Sequence, residues 1–102
     1  MSQFFPCPRL GSDVELTDER RQHIVQSHPG TLPDYAEQLA QTLAEPDLVI
    51  PSEQDERALR FSKWFDNIRT GRYLVVVTIS DSDPTRHWII TTYTARKLAK
   101  GS

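Results

Sequence analysis

The chain has 102 residues, 37% hydrophobic and 25% charged, which is enough apolar side chain for one small core. A formal net charge of −2 excludes a strongly basic nucleic-acid coat protein, while a local basic patch on a mildly acidic body stays open. A single cysteine excludes an internal disulfide, no apolar run reaches membrane-spanning length, and the opening segment lacks the pattern of a signal peptide, so a soluble cytoplasmic domain is expected.

Residues 1–12 carry Pro6, Pro8 and Gly11 and read as an irregular N-terminal arm, in which Cys7 is either incidental or a reactive thiol. A single domain is expected over residues 13–97. Val14 and Leu16 alternate with polar neighbours, enough for a short strand. Thr17 can cap a helix whose first turn holds Asp18 and Glu19, where the helix dipole favours acids. Pro29 and Gly30 end that helix at Ser27 or His28. Thr31 and Asp34 form a second start signal, with Pro33 tolerated in the first turn. Leu32, Ala36, Leu39 and Leu43 then recur at helical spacing until Pro46.

Beyond Pro46 the period changes. D-L-V-I-P is a short apolar strand, S-E-Q-D-E a polar loop, and A-L-R-F-S-K-W-F an alternating strand. In the last, Leu59, Phe61 and Phe65 share one face with Lys63 as the exception, and Arg60, Ser62 and Trp64 share the other. A turn around Asp66, Asn67 and Gly71 leads into Y-L-V-V-V-T-I, a β-branched run expected of a central strand. S-D-S-D-P-T reads as a hairpin loop and R-H-W-I-I-T-T-Y-T as the last strand. Strict alternation would put His87, Ile89, Thr91 and Tyr93 on one face and Trp88, Ile90, Thr92 and Thr94 on the other. Residues 98–102 read as a basic tail. The order β-α-α-β-β-β-β implies an α+β fold, an N-terminal pair of helices packed on a small, mainly antiparallel sheet.

Chemistry enters with H-I-V-Q-S-H-P-G. Five helical residues advance by about 500°, so the rings of His23 and His28 diverge by about 140° and should not share a metal. No phosphate loop, dinucleotide fingerprint or Cys–His metal spacing appears, so neither a metal nor a cofactor is expected. His28 falls on the stripe of Arg21, Ile24 and Val25, which points to the sheet, whereas His23 lies with Gln26 and Ser27 on the polar side. At a helix C-terminus His28 is either a general acid–base group or phosphate ligand, or simply a cap for exposed carbonyls. Arg60, Ser62 and Trp64 offer a guanidinium, a hydroxyl and an aromatic ring, a surface for a phosphate and a stacked base or an ordinary exposed strand face. Lys63 must snorkel at the sheet edge or line a site. Tyr93 precedes Ala95-Arg96-Lys97, placing a phenol near cations, or packs its ring on the core.

Four stretches carry a family resemblance: V-E-L-T-D-E-R-R-Q-H-I-V-Q-S-H-P, the Pro46-to-Ile50 segment, A-L-R-F-S-K-W-F and I-I-T-T-Y-T-A-R-K. Together, from about Val14 to Lys97, they resemble the barnase–EndoU–colicin–RelE-like nucleases, small bacterial and phage-associated proteins. The resemblance implies an α+β fold and a metal-independent ribonuclease activity, often used as a toxin. On that basis His28 is expected to act as acid or base, and Arg60 or Lys63 with Lys97 as phosphate cations. Thr92 or Tyr93 would be the polar partners, and Trp64, Arg96 and Lys97 the substrate-binding residues. The expected partners are RNA and a cognate inhibitor protein, with no membrane. The rival reading is a non-catalytic module that binds a protein or small ligand through the exposed sheet face.

Overall fold

A computed structural model describes residues 2–53, 55–82 and 85–98. Strands β1 (Gln3–Cys7), β2 (Ser12–Leu16), β3 (Leu48–Pro51), β4 (Ala58–Phe65), β5 (Arg72–Ser82) and β6 (Thr85–Ala95) form one six-stranded sheet in the order β1-β2-β6-β5-β4-β3. Helices α1 (Asp18–Ser27) and α2 (Ala36–Ala44) lie between β2 and β3 in the chain. All neighbouring strands run antiparallel except β2 and β6, which are parallel and meet at Glu15 and Trp88. Asp83, Pro84 and most of the basic tail lie outside the described residues.

The fold is α+β, but its element order is β-β-α-α-β-β-β-β, which corrects the expectation of an N-terminal helical pair. The expected irregular arm contains β1, paired antiparallel with β2 from Gln3–Leu16 to Cys7–Ser12. Pro6 hides that strand in the sequence. Proline is excluded from central strands because it cannot donate to the ladder, yet β1 is an edge strand, where this exclusion relaxes. A single 3-10 turn at Pro8–Leu10 joins the two strands, closed by Gly11 at φ +65°, a left-handed conformation that glycine adopts without penalty.

The helices cover one face of the sheet. Thr17 caps α1 by accepting the Arg20 N–H at 3.2 Å, and Asp18 and Glu19 occupy the first turn. Of that helix only Ile24 is buried; Arg21 and Val25, expected on the same inward stripe, are exposed. The second helix starts at Ala36 rather than near Thr31, and buries Leu39, Thr42 and Leu43. Thr42 satisfies its buried hydroxyl by donating to the Gln38 carbonyl at 2.8 Å. Leu39 and Leu43 join Val14, Leu16, Phe61, Leu74, Val76 and Ile89 in the main core.

As the sequence predicts, β5 is flanked by strands on both sides, and its Val75, Val76 and Val77 are all buried. Val76 faces the helices, whereas Val75 and Val77 join Ala58 in a smaller apolar cluster on the opposite face. Tyr73, Ile79, Ile90, Tyr93 and Leu98 pack against that second cluster.

One irregularity changes which side chains face which way. Val77 pairs with Thr91 but Thr78 pairs with Ile89, so Ile90 is an extra residue in β6. Strict alternation would place Ile89 and Tyr93 together. Instead Ile89 lies in the helix-side core and Tyr93 packs on the opposite face.

Candidate functional site

The sheet face away from the helices is where the chemistry-bearing residues converge. Cross-strand pairing sets Ile50, Arg60, Val77 and Thr91 in one row, with Leu48, Ser62, Val75 and Tyr93 in the next. Trp64, Tyr73 and Ala95 make a third row. Over the middle of this face lies a pocket of ≈ 140 Å³, lined by Ile50, Arg60, Ser62, Tyr93, Lys97 and Leu98 among others. Leu98 is half-buried against the face, so the segment after β6 forms one wall.

Arg60 is the distinctive residue of this pocket. Its stem rises from the sheet floor, its Nε is buried, and that N–H has no hydrogen-bond partner among the described residues. A buried, unpaired donor on a cation is costly to maintain and calls for an acceptor, such as an anion or a water. Ser62, also buried, brings a hydroxyl beside it on the same strand face. Lys97 supplies a second, exposed cation at the rim, while Arg96 is exposed and does not line the pocket.

His28 reaches the site from the far side of β6. Because β2 meets β6 only at Glu15–Trp88, the stretch of β6 around Tyr93 has no strand on its β2 side among the described residues, and α1 packs against β6. His28 is the C-cap of α1, its N–H donating to the Ile24 carbonyl at 2.8 Å. Its half-buried ring lies 5.8 Å from the Tyr93 ring, tilted by 36°. His23 is exposed on the outer side of the helix, away from this contact. Among the described residues no three His, Cys, Asp or Glu side chains gather as a metal site would require.

Apart from Arg96, which lies outside the pocket, the expected site residues divide into two groups. Arg60, Tyr93 and Lys97 share the pocket, His28 adjoins it through Tyr93, and Trp64 sits on the same face one row away. Lys63 and Thr92 turn to the opposite face. Lys63 snorkels at the sheet edge, donating to the Glu45 carbonyl at 2.9 Å with Asp47 at 3.7 Å, and so ties down the end of α2. Thr92 is fully buried and donates to the Val75 carbonyl at 2.8 Å. Ser62 was legible as a face neighbour of Arg60, but Leu98 and Ala95 carry no signal that would assign them to a pocket wall.

A family model described as phage-Barnase-EndoU-ColicinE5/D-RelE like nuclease2 (PBECR2) matches residues 8–101. No curated protein and no solved structure matches the chain. The family match runs from the turn before β2 through the last strand, and so takes in His28, Arg60, Tyr93 and Lys97. On that match the chain belongs to the phage Barnase–EndoU–colicin–RelE-like nuclease family, PBECR2.

Proposed function

We propose that the protein is a ribonuclease that cleaves RNA by general acid–base chemistry without a metal, as a toxin or a component of a conflict system. The observation that carries this reading is the buried, unpaired Nε of Arg60 on the floor of a pocket that Tyr93 and Lys97 also line. Cleavage of RNA needs charge stabilisation on the phosphate and proton transfer at the attacking and leaving oxygens. Arg60 and Lys97 supply the first, and Ser62 can add a hydroxyl donor. His28 is the proton-transfer group, since an imidazole can both take up and give up a proton near neutral pH. The Tyr93 phenol lies between His28 and the cations, and in this role completes the proton path or orients the phosphate. Arg96 and Trp64 contact flanking parts of the substrate. A cognate inhibitor protein would cover the same cationic face.

The test is cleavage of a single-stranded RNA by purified variants. His28→Ala should lose on the order of 10²–10⁴ in rate with the fold intact. His23→Ala should change little, because its side chain faces solvent on the other side of α1. EDTA should leave the rate unchanged. Equal losses in the two histidine variants, or a requirement for an added divalent cation, would overturn the mechanism. Absence of cleavage by the wild type under all conditions would leave a non-catalytic binding module on this fold.

A further inference from the structure

Trp64 combines two properties that seldom coincide: it is 41% exposed, and it is fixed from several directions. Its backbone N–H donates to Asp47 Oδ2 at 2.8 Å, because β3 begins only at Leu48 and offers no carbonyl there. Its indole Nε1–H donates to Asp66 Oδ1 at 2.7 Å. The Tyr73 ring meets it in a T-shaped contact, with centroids 5.0 Å apart. On another side lies Gly71, at φ +111°, where any Cβ would come within 2.5 Å of the indole Cζ2. The turn before β5 thus needs glycine twice over, for its backbone conformation and for the room the indole takes.

A surface tryptophan that only covered the sheet would not need a carboxylate on its indole N–H and a glycine against its ring to set its orientation. Immobilised and still open to solvent, the ring has already lost the rotamer freedom that a stacking partner would otherwise have to remove. The surrounding charges say which part of a ligand belongs here. Asp66, bonded to the indole N–H, disfavours a phosphate here, whereas a neutral nucleobase stacks without charge conflict. Arg60, whose Nε has no partner among the described residues, lies four residues back on the same strand face, about 13 Å away at strand spacing. A backbone phosphate held at Arg60 leaves room for an adjacent nucleotide to bring its base over Trp64.

We infer that Trp64, oriented by Asp66, Gly71 and Tyr73, is a stacking subsite for one unpaired nucleobase, and that it restricts the substrate to single-stranded nucleic acid. This inference rests on the proposed nuclease reading of the same face. A base inside a duplex is stacked on its neighbours and has no free face to offer.

The experiment measures binding rather than turnover. A short single-stranded DNA oligonucleotide lacks the 2′-hydroxyl, so it stays intact while it reports stacking. It should quench the tryptophan fluorescence of the wild type, and the same sequence as a duplex should not. Trp64→Phe should remove the quenching, leaving only Trp88 to emit. Trp64→Ala should weaken binding about 5- to 140-fold with an unchanged circular dichroism spectrum. Gly71→Ala, which displaces the indole without removing it, should weaken binding in the same direction. Equal quenching by duplex, no quenching by single strand, or unaltered affinity in a folded Trp64→Ala variant would each overturn the subsite. Failure of the nuclease reading looks different: quenching would persist while the matching RNA strand remained uncut.

Discussion

Arg60→Met should make the protein more stable while removing its anion site. The guanidinium Nε is enclosed by the sheet face and Leu98, and nothing among the described residues accepts its hydrogen. A buried donor left without an acceptor costs about 1–3 kcal/mol. Methionine keeps an unbranched stem to pack on Val77 and Ile50, and carries no donor at all. Only one nitrogen of the group is so enclosed, which favours the lower end of that range, a gain of about 1 kcal/mol. For a domain of this size that corresponds to a rise in Tm of roughly 4–8 °C. Thermal unfolding followed by circular dichroism, with urea midpoints at constant slope, measures it. Arg57→Met is the control: that arginine is exposed and bonded to Asp55 and Asp81, so its replacement should bring no gain. A lower midpoint in Arg60→Met would mean that the side chain is satisfied in solution. That outcome would contradict an anion site at Arg60.

Leu39→Ala should cost about 2–5 kcal/mol in urea unfolding, since the side chain is fully buried between α2 and the sheet; an unchanged midpoint would contradict that packing. Lys63→Met and Thr92→Val should leave RNA cleavage near wild type, because both side chains face away from the pocket, and a loss like that of His28→Ala would contradict this orientation. Acid should reveal the junction of β2 and β6. Hydrogen bonds from Ser2 and Arg86 hold the Glu15 carboxyl below its ordinary value of 4.5, so its contribution is present above that pH and lost as pH falls through the lowered value. Glu15→Gln should therefore flatten the decline in stability below pH 4.5 relative to wild type, as read from urea midpoints across that range.

What the sequence made legible is local. The alternation of Leu59, Arg60, Phe61 and Ser62 assigns both faces of β4, and the oxygen of Thr17 marks the start of α1 because a cap is a contact three residues long. Leu39 and Leu43 follow from helical spacing alone. Features that depend on distant partners were hidden. Proline in β1 is acceptable only once that strand is known to be an edge, and the edge is defined by a parallel contact between Glu15 and Trp88, far apart in the chain. Lys63 looked like a cation on an apolar face because its partner, the Glu45 carbonyl, belongs to the end of a helix that strand periodicity does not see. Tyr93 could be placed near cations but not beside His28, since their contact depends on β2 leaving β6 early.

Ile90 lets β6 serve two incompatible phases. Its first half is timed to deliver Ile89 into the core, and its second half is timed to present Tyr93 to the pocket; an uninterrupted count of two could satisfy one of these but not both. The single inserted residue acts as a half-step delay between a folding signal and a chemical one. Changing the number of residues between Ser82 and Thr85 leaves that delay intact, because they lie upstream of both halves and the ladder fixes their register. Removing one residue anywhere between Ile89 and Tyr93 erases it, driving the phenol towards the helices or pulling an isoleucine out of the core. Along this strand, tolerance to a change in length is set by position relative to Ile90 rather than by distance from the pocket.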